Sequence, residues 1–376
     1  MIHHSVIQKT HTVNHNALYA FHSPRNMDEV WVECVPNFSE GRDVAIINKI
    51  EEAIRSVEGV TLLDIDMGYD FNRTVVTMVG NPNSVLEAAI LSSKIAIELI
   101  DMREHNGEHA RMGAVDVVPF IPLSNATMDI CTDLARKYAT SMSLECNIPI
   151  YLYGEAAVTP SRVKLPDIRR GEYEGFVDKI NHVDWMPDFG PAIFNPKTGV
   201  TATGSRNILI AYNVNLNTND KALANKISGM IRTSGIIKKD KNGNKIIDEN
   251  GKAERIRGKF DSLQAAGWMY DDDTAQVSMN LLDYNRASLH DVTETIIKEA
   301  KNLELEVISS ELVGLVPLKA LINAGKYYSE KDGDSSDIEL INAAITGLKL
   351  DIIDDFIPEE NIIEWTIKKH EEGLHE

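Results

Sequence analysis

The order of hydrophobic periods along this chain runs through the same succession twice, and it restricts the fold more than any single residue does. Residues 31–35 read as a short strand, and Val44, Ile47, Ile50, Ala53 and Ile54 recur at helical spacing after the N-cap residue Asp43. Residues 60–65 and 74–79 are β-branched strands on either side of a turn region that contains Gly68 and Asp70. A helical pattern over 82–102 and an apolar, strand-like run from Val115 to Pro122 complete the order β-α-β-β-α-β, the split β-α-β or ferredoxin-like unit.

The second half repeats that order without obvious sequence identity. It reads as a strand at 208–214, a helix at 220–231, strands at 265–270 and 275–281, a helix at 290–303 and a closing strand at 305–309. With 376 residues available for more than one core, the expected fold is α+β: two ferredoxin-like (split β-α-β) subdomains in tandem, each an antiparallel sheet covered by helices. The expected boundaries are 29–206 and 207–326, followed by a helical tail over 327–376. Between the repeats lie a helix near 128–144, a strand at 150–153 and a long polar stretch to about residue 206. A stretch that long with little regular structure is more often functional than idle. Residues 1–28 carry His3, His4, His11, His15 and His22 without a hydrophobic period. They read as a disordered, non-catalytic extension, with metal binding by the histidine tract as the alternative.

Composition removes several function classes. Apolar content of 43% beside 25% charged residues is ordinary for a globular protein. No apolar run approaches the ~20 residues of a membrane span, and the first residues lack the pattern of a secretory signal. Cys34, Cys131 and Cys146 are odd in number and form no close pair, so neither a disulfide framework nor a cysteine zinc site is indicated; a reduced, cytoplasmic protein is expected. A net charge of −19 and a pI near 5.0 argue against a nucleic-acid partner. An anionic small molecule would need basic residues gathered locally. Asp240-Lys241-Asn242-Gly243-Asn244 opens like a calcium loop but has Lys245 and Gly251 where the pattern requires Gly and Glu. Its Asn-Gly pairs favour an exposed hairpin over 238–257, and Asp271–Asp273 reads as a solvated turn.

The chemistry centres on Gly107-Glu108-His109-Ala110-Arg111-Met112-Gly113-Ala114, which sets an imidazole between a carboxylate and a guanidinium in a loop held at both ends by core elements. The bland alternative is a surface histidine beside a chance ion pair. A sharper rival is zinc chemistry, because His105-Asn106-Gly107-Glu108-His109 matches the H-x-x-E-H peptidase pattern. That pattern needs both imidazoles on one face of a continuous helix, and Asn106-Gly107 is a helix-stopping pair at its centre.

Other residues are candidates for the same site. Alternation sends Asp64 and Asp66 to one side of their strand, where Asp66 is placed to orient an imidazole or, alternatively, only to organise the 68–72 turn. Arg162, Lys164, Arg169 and Arg170 follow Gly154-Glu155-Ala156-Ala157 and read either as an anion path or as an exposed helix surface. In Asp188-Phe189-Gly190-Pro191-Ala192-Ile193-Phe194-Asn195-Pro196-Lys197-Thr198-Gly199, paired glycines and prolines fix an unusual path. Phe194 offers a face for a planar ring and Lys197 a positive charge. The segment reads as a pocket wall for a flat, anionic ligand, with an interlobe linker as the alternative.

With these residues in view, the chain closely resembles the glutamate formimidoyltransferase family over roughly residues 31–325. The likeness rests on Glu33-Cys34-Val35-Pro36-Asn37-Phe38-Ser39-Glu40-Gly41, Asn72-Arg73-Thr74-Val75, Gly107-Glu108-His109, Tyr151-Leu152-Tyr153-Gly154-Glu155-Ala156-Ala157, Gly171-Glu172-Tyr173-Glu174 and Asp188-Phe189-Gly190-Pro191. The family loop commonly reads Gly-Glu-His-Pro-Arg-Met-Gly; here Ala110 replaces the proline, which loosens the loop without removing a reactive group. The resemblance implies transfer of a formimidoyl group from N-formimidoyl-L-glutamate to tetrahydrofolate, giving 5-formimidoyltetrahydrofolate and L-glutamate, a late step of histidine degradation. It also implies a homodimer, a folate tunnel between the subdomains, tetrahydrofolate as co-substrate and no metal. Larger bifunctional relatives carry a cyclodeaminase domain after this region, for which too little sequence follows here.

On that resemblance, the catalytic histidine falls on His109 and the folate-contacting loop on 190–199. The N5 nitrogen of the folate attacks the amidine carbon, and a tetrahedral intermediate expels the glutamate amine. His109 suits both proton transfers because an unperturbed imidazole titrates at ~6.5. Asp66, or secondarily Glu108, is expected to orient it. Arg111 is expected to hold a substrate carboxylate, with an ion pair to Glu108 as the static alternative. The competing functions are a zinc-dependent hydrolase using His105 and His109, and a folate-binding protein that has lost catalysis.

Overall fold

The computed structural model describes residues 30–249, 251–329 and 335–371. The extension expected at 1–28 lies outside them, as does Asn250 of the second Asn-Gly pair. The first strand is broken at Pro36, which has no N–H for the ladder, into β1 (Val32–Cys34) and β2 (Asn37–Phe38). Helix α1 (Val44–Arg55) starts where the Asp43 carboxylate accepts from the N–H groups of Ala45 and Ile46. Then come β3 (Val60–Gly68), β4 (Arg73–Gly80), α2 (Pro82–Leu99), with its proline in the first turn, and β5 (Val115–Pro122). The lobe continues with α3 (Met128–Cys146), β6 (Ile150–Gly154), α4 (Leu165–Arg169), α5 (Glu172–Lys179) and β7 (Thr201–Ser205).

All these strands form one sheet. Its order is β3-β4, then the broken β1/β2 strand, then β5-β7-β6; pairing is antiparallel from β3 to β5 and parallel from β5 through β7 to β6. The stretch expected to have little regular structure therefore holds two α-helices, two short 3-10 turns and an interior strand. Strand β7 escapes the hydrophobic pattern because its residues are small; Thr201 and Thr203 are buried, and their hydroxyls donate to the carbonyls of Val115 and Val118 at 2.7 and 2.8 Å.

Alternation gives this sheet two different faces. Leu62, Val76, Met78, Val115 and Val118 face the core shared with α1, α2 and α3. On the other face, Val117, Tyr151 and Ala202 are covered by Ile168 of α4 and Phe176 of α5. The register shifts where β2 meets β5: Asn37 pairs with Val117 and Phe38 with Val115, leaving Asp116 as the extra residue of a bulge.

The second lobe contains β8 (Ile210–Leu216), α6 (Lys221–Ile231), β9 (Ile236–Ile237), β10 (Arg255–Ile256), β11 (Leu263–Met269), β12 (Ala275–Leu281), α7 (Leu289–Lys301) and β13 (Val307–Val313). Its main sheet is antiparallel in the order β11-β12-β8-β13. Strands β9 and β10 form the base of the lysine-rich hairpin, and Asp240 spends its carboxylate on the N–H groups of Asn242 and Asn244.

Helices α8 (Leu318–Tyr328), α9 (Asp337–Leu348), α10 (Pro358–Asn361) and α11 (Ile363–Glu371) follow. Leu321, Ile341 and Leu348 join the core that contains Tyr212 and Val214 of β8, and α11 also reaches β3 of the first lobe. The fold is mixed α+β with two tandem sheet-and-helix units. Among the described residues, no helix is long and apolar enough to cross a membrane.

Candidate active site

The loop between α2 and β5 is held against the β3–β4 turn by a set of local bonds. Asn72, in the left-handed region at φ 48°, uses its Oδ1 to accept from the N–H of Gly41 at 3.0 Å and its Nδ2 to donate to the Asn106 carbonyl at 2.9 Å. Its own carbonyl accepts from Nε2 of His105 at 2.8 Å. Gly107 is required here, since an added Cβ would stand 2.2 Å from the carbonyl oxygen of Phe71. Beyond the loop, Ala114 N–H donates to Thr198 and Val200 N–H to Met112, at 2.9 and 3.0 Å, so the His109 loop lies directly against the 190–199 segment.

At the centre, Nη1 of Arg73 lies 2.7 Å from Nε2 of His109. A guanidinium has no acceptor, so His109 Nε2 receives this bond and the ring's proton sits on Nδ1. Among the described residues, Nδ1 is buried without a hydrogen-bond partner. Burial, then the positive charges of Arg73 and Arg169, hold the imidazole at about 4, with Asp116 pulling the other way. The ring is thus a neutral base at ordinary pH. The near-unperturbed titration expected from sequence is corrected accordingly, because the ring is buried and two guanidinium groups lie near it. Phe71 meets it edge to face at 6.4 Å.

Asp66 is exposed at this point of β3, makes no hydrogen bond to His109, and exerts its charge on Arg73 and Asp64 instead. The carboxylate whose charge His109 feels is Asp116. The β5 bulge re-aims Asp116 inward, where it accepts from Met112 N–H at 2.8 Å and pairs with Arg169. Sequence reasoning missed Asp116, and it quoted Arg73 only within the family likeness, without a role. The available signals were an acidic residue inside an apolar strand and a basic residue ending a turn.

The remaining candidates are redistributed. Glu108 is exposed, and its backbone, not its side chain, ties to the Asp70 carbonyl at 3.3 Å. Arg111 does not pair with Glu108. It bridges to Glu172 at 3.1 Å and to Glu174 at 2.5 Å, and donates from Nε to Nδ1 of His105 at 3.3 Å. Both nitrogens of His105 are therefore committed, and residues 105–109 are not helical, which removes the geometry that the zinc pattern needs. Arg162 and Arg169 are neither an anion path nor an exposed surface. They turn inward and are neutralised by Asp188 and Asp116.

In the 190–199 segment, Gly190 and Gly199 hold φ of 78° and 64°. Phe194 packs on Tyr173 with ring centroids 5.2 Å apart, and the Tyr173 hydroxyl donates to the Pro196 carbonyl at 2.5 Å. Lys197 does not present its charge to the site, because its ammonium caps α2 at the Glu98 carbonyl, 2.7 Å away. Pro191, Ala192 and Phe194 are half-buried, Ile193 and Asn195 are exposed, and Thr198 is buried. An open cleft of about 630 Å³ lies elsewhere on this lobe, lined by residues that include Asp167, Arg170, Lys179 and Trp185, and does not include His109.

Comparison with known proteins follows the same two units. Residues 31–206 match the family described as formiminotransferase domain, N-terminal subdomain, and residues 211–368 match the formiminotransferase domain. The chain is 41% identical over 298 residues to a glutamate formimidoyltransferase of Streptococcus pyogenes serotype M1, covering 79% of this chain and 92% of that protein. It is 40% identical over 304 residues to one of Thermoplasma acidophilum, covering 80% and 93%. A formimidoyltransferase-cyclodeaminase of Rattus norvegicus is 43% identical over 339 residues, covering 89% of this chain. The match spans 60% of that longer relative's length.

Proposed function

The chain belongs to the formiminotransferase family, and from that premise we propose that it transfers a formimidoyl group from N-formimidoyl-L-glutamate to tetrahydrofolate, releasing 5-formimidoyltetrahydrofolate and L-glutamate in histidine degradation. The observation that carries the reading is a half-buried, neutral imidazole, His109, on a loop braced against the 190–199 segment. The transfer requires the attacking folate nitrogen to lose a proton and the departing glutamate amine to gain one. His109 accepts the first proton at Nε2 and returns it to the amine, so the ring ends neutral as it began. Nε2 is assigned this work because Nδ1 is shut in.

Arg73, Arg169 and Asp116 set the field around the ring, and Asp66, which the sequence reading expected to orient it, is given no contact with it. Residues 190–199 form the wall for the folate, with Phe194, backed by Tyr173, supplying an aromatic edge for the pterin. His105, Glu108 and Arg111 brace the loop rather than touch the substrate. No metal is assigned a role.

Both sheets are read as ferredoxin-like, supported by the strand orders β3-β4-β1-β5 and β11-β12-β8-β13. We further propose subdomains at 29–206 and 207–326 followed by a C-terminal tail, in a cytoplasmic homodimer. The test is turnover of the purified protein with both substrates, following 5-formimidoyltetrahydrofolate by mass and L-glutamate by amino-acid analysis. Equimolar formation of both supports the assignment. Folate binding without product indicates a binding protein, and glutamate release without folate indicates a hydrolase.

A further inference from the structure

Arg73 stands out among the basic residues named above. Arg111, Arg162 and Arg169 each pair with a carboxylate within ion-pair distance, Arg42 donates to Asn106 and Tyr69, and Lys197 caps α2. Arg73 is half-buried, and no described carboxylate lies within ion-pair distance of it. Its one described side-chain partner is the neutral His109 ring. Asp66 and Asp116 favour its charge from a distance, while burial and Arg169 oppose it. A desolvated guanidinium with five donors and one neutral acceptor is built to take a planar, bidentate anion. Its present bond also occupies the lone pair that a base must use.

Resting on the transferase reading, we propose that Arg73 binds a carboxylate of the glutamate substrate and, in turning to it, uncovers Nε2 of His109, so that the anion itself exposes the base. The substrate class is a dicarboxylic amino acid derivative. The ordering follows from geometry, because Arg73 cannot keep Nε2 capped while Nε2 gains a proton. The groups that face His109 are Arg73 from β4, Arg169 from α4 and Asp116 from β5. Substrate anion beside Arg73 cancels part of the positive field, so the ring becomes more basic when the site is filled.

The experiment reads the His109 ring by NMR titration and L-glutamate binding by calorimetry, neither of which requires turnover. In the wild type, saturating L-glutamate raises the His109 titration by about one pH unit or more, while L-glutamate dimethyl ester leaves it unmoved. Arg73→Met raises the titration of the free protein by a similar amount, abolishes its response to L-glutamate and weakens L-glutamate binding at least ~10-fold; charge-assisted hydrogen bonds of about 1.5–3 kcal/mol correspond to that loss or more. Arg73→Lys, which keeps the charge and loses the fork, serves where the Met variant does not fold, and weakens binding in the same direction.

Wild-type binding of L-glutamate that survives Arg73 replacement, or a His109 titration indifferent to both ligand and variant, overturns this proposal and leaves the transferase reading standing. Failure of the wild type to bind L-glutamate overturns both.

Discussion

Replacing Asp116 by Asn tests whether the bulge carboxylate is what allows two guanidinium groups to sit beside His109. Asp116 is almost fully buried and Arg169 only slightly exposed, at 1% and 15% of the side chain. Two charges about 3 Å apart attract by roughly 5 kcal/mol at an effective dielectric of 20. Part of that offsets desolvation, but removing one partner of a buried pair still costs about 3–5 kcal/mol, because the other charge is left uncompensated. Asn keeps an oxygen for Met112 N–H, so the backbone contact survives and the loss is electrostatic.

Asp116→Asn should therefore lose about 3 kcal/mol in urea denaturation at pH 7, a large share of a typical domain's stability. Arg169→Met should cost a similar amount, and the double variant should recover much of the loss, giving a coupling of about 2 kcal/mol or more. Additive losses, or an Asp116→Asn variant within ~0.5 kcal/mol of wild type, would refute the reasoning and reduce the pair to packing.

Three further outcomes are expected. Phe194→Ala should weaken folate binding by about 0.5–1.5 kcal/mol; calorimetry giving the wild-type affinity would remove Phe194 from the wall. The His109 ring titrates at about 4 in the folded chain against ~6.5 unfolded. The unfolded state thus takes the proton first, and stability present in full above pH 6.5 falls by at most about 3 kcal/mol as pH drops to 4. Denaturant midpoints at pH 7 and pH 5 should therefore differ less in His109→Gln than in wild type, and an identical difference would contradict the depressed titration. Shortening the hairpin between β9 and β10 to a tight turn should leave folding and turnover within a few-fold of normal, and lost activity with retained folding would show that it reaches the site or a subunit contact.

The order of elements was legible because long amphipathic segments carry their own period, as in α1 with Ile47, Ile50 and Ile54 buried on one stripe. The loop holding His109 was legible for the same reason, being the connection between two such segments. What could not be read was register. Asp116 reaches the site only because β2 and β5 slip by one residue at Asn37 and Phe38. Arg73 meets His109, 36 positions away, only because Asn72 staples the turn to the loop. Strand β7 is wholly buried yet lacks the large apolar residues that mark a strand, and at Gly204 an added Cβ would stand 2.2 Å from the Tyr153 carbonyl oxygen. Arg162 and Arg169 read as an anion path or an exposed surface because local composition does not show the carboxylates that draw them inward.

The most direct measurement of the central claim is single-turnover transfer by His109→Ala beside His105→Ala and wild type, with tetrahydrofolate affinity and metal content determined on the same preparations. If His109 moves the proton, His109→Ala keeps its fold and its folate affinity while transfer falls by about 10²–10⁴-fold, His105→Ala retains folate binding and most of its rate, and chelator leaves the wild type active. Transfer by His109→Ala within a few-fold of wild type, or stoichiometric zinc lost together with activity in both histidine variants, would contradict it.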